Sequence, residues 1–556
     1  MRRLVSLAVA TATIAGCKGT DSSGSAGTGD IGGTIVLAVA ADATTLLPPL
    51  ISGITDREAS DLLYDRLAEI GPDLNTAGDK GFVPQLAERW EWSADSLSIA
   101  FHINPHAKWH DGQPVRASDV KFSVALNKDP ALGSPALSLM TNIDSISVRD
   151  SLTAVAFFKQ RTPEQFFDLV YQIAILPEHI LANTPVAQLK TAEVGRRGIG
   201  SGRFRLAKWE PGARIELIAD TANYRGRPKL DRVVFSVAPD FSGAAARFFA
   251  GDADLLENIK ADHVAKLVGD TARQILRLPN LSYNYFAMNA IDPKAPGQPH
   301  PIFGEKAVRR ALSMAVDRRA MLKNVFDTIG QIAYGPFPHS MSVTDTTLPQ
   351  ILYDTTKAKA LLDSAGWVVG PDGIRSKNGR RLEFSVSSPS SSAFRHQYVV
   401  LMQDAFRRVG ASAKLDESDF PSYLAKLSSH QFDAEMENFN MDPSVTGFKQ
   451  SWASQAITNG QNHISYANPA VDALLDSASS AFDPARRKSY TRRALETIMD
   501  DAPGIWLYET PSIAGISKRI HVTHLRADAY FADMADWYIP AGQRNARDKI
   551  GLRPAP

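Results

Sequence analysis

From Ile35 to Tyr508, short apolar runs of strand length alternate with segments of helical period, and no short repeat unit recurs. This interleaving constrains the fold more than any other feature: it points to an α/β class with discontinuous domains and excludes solenoids and propellers. Ile35–Val39 reads as a buried strand. Leu97–Ile103, Ala154–Phe158, Ile215–Ala219, Arg232–Val237, Leu382–Ser387 and Ile505–Tyr508 follow as further strands. Between them, Val308, Ala311, Leu312, Ala315 and Val316 recur at three- and four-residue steps and give a helix one apolar face. Asp317 is placed to cap the next helix, and Gly366 to stop the one carrying AKALLDSAGW. Asn468-Pro469 and Asp483-Pro484 each join a capping side chain to a proline at the first helical position.

At roughly 100–200 residues per domain, the 556-residue length suggests about three domains. Sixty-one Lys and Arg balance 60 Asp and Glu, so no basic surplus favours nucleic acid. The single cysteine, Cys17, rules out an intrachain disulfide and any cysteine-based metal or redox pair. It follows a basic Met1-Arg2-Arg3 and an apolar run from Leu4 to Ala15, too short to span a bilayer and suited to a secretion signal. Ile14-Ala15-Gly16-Cys17 is similar to the bacterial lipobox, which implies a signal peptide over 1–16 and lipidation of Cys17. Two or more acyl chains there would hold the protein on a membrane. Residues 18–33, KGTDSSGSAGTGDIGG, read as a flexible tether.

Six segments in order carry a family resemblance. FVPQLAERWEWSADSLSIAFHINPHAKWHDGQPVRASDV spans Phe82 to Val120, and GSGRFRLAKWEPGARIELIADTANYRGRPKLDRVVF spans Gly200 to Phe235. RFFAGDADLL, VRRALSMAVDRRAML, AKALLDSAGW and YANPAVDALLDSASSAFDPARRKSY follow. Together they resemble the extracytoplasmic solute-binding proteins of peptide and nickel ABC transporters, family 5, from about Ile35 to Val522. The resemblance implies a two-lobed, type II periplasmic-binding-protein fold of the large peptide-binding cluster, with an extra domain inserted in the first lobe. Carried onto this chain, lobe I comprises 33–75, 200–288 and 504–556, the extra domain 76–199, and lobe II 289–503. The implied role is a monomeric, lipid-anchored receptor outside the cytoplasm that captures an oligopeptide or similar solute and hands it to permease and ATPase subunits. No cofactor is implied.

Much of the match is structural. Asp111-Gly112-Gln113-Pro114 is a turn, Ser118 or Asp119 can cap the following helix, and Trp90 and Trp92 share one strand face as core. Two stretches match ligand-contacting positions of peptide-binding members. In LISGITDREASDLLY these are Ser52, Gly53, Ile54 and Thr55, whose backbone and hydroxyl groups can bond an extended peptide. In FDAEMENFNMDPSVTGF they are Glu437, Asn438, Phe439 and Asn440. Peptide binders place an Asp four residues before the proline of this turn, and here that position is Phe439. Either Glu437 or a slipped register replaces the Asp, or the ligand lacks a free amine or presents an apolar or aromatic group. Arg395, before an apolar helix, is a solvated helix-start residue or a partner for a ligand carboxylate.

A dedicated metal site is not expected. His102, His106 and His110 would align on a helix, but Pro105 and the strand pattern break it, and His521 and His524 lack a third ligand. The G-x-S-x-G elbow, the H-E-x-x-H pair and the P-loop G-x-x-x-x-G-K-[ST] are absent; Ser118 and Lys121 fit S-x-x-K without its S-D-N or K-T-G companions. A secreted lipoprotein hydrolase remains the rival class, and a metal chelate or amine-blocked compound the rival cargo.

Overall fold

The computed structural model describes residues 30–552 apart from 52, 327, 328, 342 and 343. Cys17, the signal segment and most of the tether lie outside the described residues, as does Ser52.

Three sheets organise the chain. The first has seven strands in the order Arg273–Leu278, Ser512–Ser517, Leu255–Leu256, Thr34–Val39, Arg232–Val237, Arg214–Ala219 and Phe204–Glu210. Thr34–Val39 is buried on both faces and pairs in parallel with its two neighbours, as its unbroken apolar run requires. In the RFFAGDADLL segment, Gly251 adopts φ +89° at the end of helix Phe241–Ala250. The turn it permits brings Asp254 beneath the central strand, where the carboxylate accepts from Val36 N at 2.9 Å and pairs with Arg519 at 2.8 Å. The second sheet has five strands: Ser412–Ser418, Glu383–Pro389, Ala434–Asn440, Ser282–Met288 and Gly504–Tyr508. The third has four antiparallel strands: Ala87–Trp92, Ser98–Ile103, Thr153–Phe158 and Ile143–Asp150.

The chain passes between the first two sheets through Pro279-Asn280-Leu281 and Glu509-Thr510-Pro511. Asn280 Nδ2 donates to the Thr510 carbonyl at 2.9 Å and ties the two crossings together. Ser282–Met288 and Gly504–Tyr508 thus pair into one sheet with Ala434–Asn440, across the expected limits between lobes at 288/289 and 503/504. The breaks fall where Pro279 and Pro511 cannot donate to a ladder. Nothing in the apolar runs beyond them signals a boundary.

The matched block from Phe82 to Val120 is rich in local devices. Gly112, at φ +90°, closes the turn in which Gln113 N donates to Asp111 Oδ1 at 3.0 Å. Helix Ala117–Asn127 starts after Arg116, and Asp119 rather than Ser118 satisfies its first turn, accepting from Arg116 N at 2.7 Å. Asp119 Oδ1 also accepts from Glu178 N at 2.9 Å, so one buried carboxylate organises two segments. Trp90 and Trp92 share a face, and both indoles donate to Asp79 Oδ2, at 2.9 and 3.1 Å. The expected caps Asp317, Asn468 and Asp483 each accept a backbone N–H of the helix that follows.

Candidate functional site

A cavity of about 980 Å³ lies between the sheets, with walls from the first lobe, the four-stranded domain and the second lobe. Helix Ile54–Leu63 supplies much of the first-lobe wall. It begins after Gly53, whose N–H donates to Asp56 Oδ2 at 3.2 Å, and its spacing turns Arg57, Glu58 and Asp61 toward the cavity. Asp61 pairs with Arg66 at 3.1 Å and with Arg57 at 3.6 Å. Arg66 also donates through Nε to the Tyr171 carbonyl at 2.8 Å. Asp528 accepts from Arg526 at 2.8 Å and from the Tyr171 hydroxyl at 3.1 Å.

Glu58 is 1% exposed and accepts from the Tyr530 hydroxyl at 2.8 Å. Burial, with Glu257 alongside, pushes its carboxyl well above the usual carboxylate range. Glu257 moves the same way, chiefly through burial. Two adjacent acids and a tyrosine thus form a polar niche that favours a bound proton or an incoming cation.

The second-lobe wall comes from Ser282 and from Asn438, Asn440, Met441, Asp442 and Pro443 at the end of strand Ala434–Asn440. Of the residues predicted from sequence, Gly53, Ile54, Asn438 and Asn440 line one cavity, although 384 positions separate Ile54 from Asn438. Thr55, Glu437 and Phe439 are not among the lining residues. The Thr55 hydroxyl donates to the Ala41 carbonyl at 3.1 Å. Register explains the other two: Phe439 lies opposite Tyr283 and Glu437 opposite Tyr285 on the face turned into the lobe's aromatic core. The Phe439 and Tyr283 rings stack with centroids 5.8 Å apart, and Glu437 accepts from the Tyr285 hydroxyl at 2.8 Å. The Phe439 ring thus lies against Tyr283, and the Glu437 carboxylate against Tyr285, rather than on the cavity wall. Asp442, beside the turn's proline, is the second-lobe carboxylate on the cavity wall.

Arg395 is half-buried near the start of helix Ala393–Arg407, its guanidinium 5.8 Å from the Tyr423 ring centroid, and it does not line the cavity. Ser118 does not either. His102 faces Glu91 at 3.7 Å, and a ring nitrogen of His110 lies 3.0 Å from the Gly202 carbonyl, so their even spacing gathers no common site. Sequence reasoning missed Glu58, Asp61, Arg66, Glu257 and Tyr530. The usable signal was Arg57, Glu58 and Asp61 at one- and three-residue steps on a helix directly after the Gly53 loop.

The four-stranded domain also touches the second lobe. Ser444 donates to Glu164 Oε2 at 2.7 Å, and Glu164 Oε1 lies 3.9 Å from Arg487. Arg161 stacks over Phe482 at 4.1 Å. These contacts join the four-stranded domain to the second lobe.

Among the described residues, no helix is long and apolar enough to cross a membrane. A relative, the oligopeptide-binding protein AppA of Bacillus subtilis, is 28% identical over 551 residues, covering 96% of this chain and 97% of the relative. The structure of that protein in complex with a nonapeptide superposes with a TM-score of 0.70 at 24% identity, over 92% of this chain and 99% of the other. NikZ from Campylobacter jejuni in complex with Ni(L-His) gives 0.71 at 22% identity, over 91% and 99%. Both superpositions carry the two-lobed α/β fold. Residues 81–459 match the family model of bacterial extracellular solute-binding proteins, family 5. The chain belongs to that family of extracytoplasmic binding proteins.

Proposed function

We propose that this protein captures a peptide in the cleft between its lobes and delivers it to the membrane subunits of an ABC importer. The observation that carries the reading is the cavity of about 980 Å³ whose opposing walls come from different lobes. A ligand touching both walls stabilises the closed state by its difference in affinity for the two forms. The reading assigns Gly53 and Ile54 to one side of the peptide and Asn438 and Asn440 to the other. Side-chain amides offer both donors and an acceptor, so they suit a peptide backbone whatever its side chains. Asp442, Glu58 and Glu257 are the carboxylates available to the ligand's amino group.

The reading is of a binding protein, with no chemical step. It includes a lipid anchor on Cys17 with residues 18–33 as tether and a monomer as the working form. Replacing Cys17 by Ser is expected to move the protein from the membrane fraction to the soluble extracytoplasmic fraction.

The deciding experiment is mass spectrometry of whatever copurifies with the protein, followed by titration of the emptied cleft. Peptides with free amino termini support the reading. At about 100 times its dissociation constant, a bound peptide raises stability by about 2.7 kcal/mol. A metal chelate or a non-peptide compound recovered in their place, with no peptide shifting the melting temperature, overturns it.

A further inference from the structure

Three side chains that the cleft does not use meet inside the second lobe. Glu435 and Glu437 project from the same face of strand Ala434–Asn440, and His463 comes against them from a loop. Glu435 is 0% exposed and Glu437 7%. A tyrosine hydroxyl holds each carboxylate at one oxygen: Tyr423 donates to Glu435 Oε2 at 3.0 Å, and Tyr285 to Glu437 Oε2 at 2.8 Å.

The remaining atoms turn toward one another. Among the described residues, Glu435 Oε1 and His463 Nδ1 have no hydrogen-bond partner, although both are buried. Glu437 Oε1 lies 3.6 Å from His463 Nδ1, beyond hydrogen-bond range. One ligand atom from each of the three residues lies within 4.8 Å of the other two. Arg395 is the cation facing Glu435 and offsets part of its charge. A proton shared by the carboxylates would satisfy two of the inner atoms and leave the imidazole nitrogen unused, whereas a metal ion engages all three. The donor set of one imidazole nitrogen and two carboxylate oxygens suits a divalent transition metal. Ligand bonds of about 2.0–2.2 Å to zinc require only small side-chain rotations from the present spacing. The tyrosine hydroxyls would act as the outer partners that orient such ligands. His463 keeps 18% side-chain exposure, which leaves a route for the ion.

We propose that Glu435, Glu437 and His463 bind a divalent transition-metal ion, zinc before others, and so fasten the strand bearing Asn438 and Asn440 to the loop bearing His463. Spacing did not reveal the trio because His463 is 26 residues beyond Glu437 and belongs to no ligand motif. The site lies outside the cleft, so it stands or falls separately from the peptide reading.

The test uses the full-length chain in detergent, stripped with a chelator and titrated with Zn²⁺ without peptide. One ion per chain by elemental analysis and a higher melting temperature are expected. His463→Gln and Glu435→Gln should each weaken binding at least 100-fold, and Tyr423→Phe about tenfold. Co²⁺ in place of Zn²⁺ should give a visible absorption band that His463→Gln abolishes. His463 is partly exposed, so its variant decides the matter if Glu435→Gln fails to fold. Asn438→Ala should leave ion binding unchanged. The proposal fails if no stoichiometric ion binds, or if binding survives His463→Gln. It fails equally if stability responds to acid but not to Zn²⁺, which would identify a shared proton.

Discussion

Arg57, Glu58, Asp61 and Arg66 crowd the first-lobe wall of the cleft, whereas the facing strand of the second lobe presents Asn438 and Asn440. Charged groups of the first wall are already engaged: Asp61 with two arginines, and Arg66 with Asp61 and a backbone carbonyl. The amides of the second are neutral and can donate or accept. The contrast teaches a division of labour: fixed charges shape one side, while adaptable hydrogen-bonding groups on the other tolerate varied cargo.

The comparison can be broken most severely at Arg66. Arg66→Ala leaves Asp61 with one distant partner and the Tyr171 carbonyl without its donor, and should cost about 3 kcal/mol by denaturant melting. A loss under 1 kcal/mol would mean that the first wall is not held by its ion pairs. The next largest effect concerns Asp168, in the four-stranded domain. Burial, with Glu164 and Asp442 close by, pushes the Asp168 carboxyl up to about 8 from 3.8. A raised acid pKa means the folded state holds the proton more tightly, so stability falls as pH rises from about 4 through about 8. Asp168→Asn should flatten that slope in melting curves across this range; an unchanged slope assigns it to other groups.

A smaller change follows from Ser444→Ala, which removes the 2.7 Å bond to Glu164 between the second lobe and the four-stranded domain. Closure should weaken by about 1 kcal/mol, read as a roughly fivefold rise in peptide Kd. Asn438→Ala should show the smallest effect, a two- to threefold loss of peptide affinity from the weak end of one hydrogen bond's net worth, about 0.5 kcal/mol. Its salt dependence should match that of the wild type, because no charge is removed. An altered salt dependence would refute the neutral role given to Asn438.

Local signals made the scaffold readable from sequence. The apolar run at Ile35–Val39, the caps at Asp317, Asn468 and Asp483, and the positive φ of Gly112 depend on neighbours a few residues away. The second wall was half readable. Period-two alternation separates Glu437 and Phe439 from Asn438 and Asn440, but alternation alone does not tell which set meets solvent. Tyr283 and Tyr285, on a strand more than 150 residues earlier, settle it by giving Phe439 and Glu437 partners in the core. The first wall was least readable, because Glu58, Glu257 and Tyr530 converge only when the seven-stranded sheet assembles.

The bond from Asn280 to Thr510 gives the paired crossings a mechanical meaning. Two short straps side by side bend together easily but resist being wrung, much as a strap hinge lets a gate swing but not sag. The jaw therefore has one soft direction. A bulky cargo and a slight one would stop the swing at different angles while leaving its axis unchanged. Whatever reads the shut jaw from outside then meets the same outer edges in the same relative heading, so cargo variety inside need not disturb recognition outside.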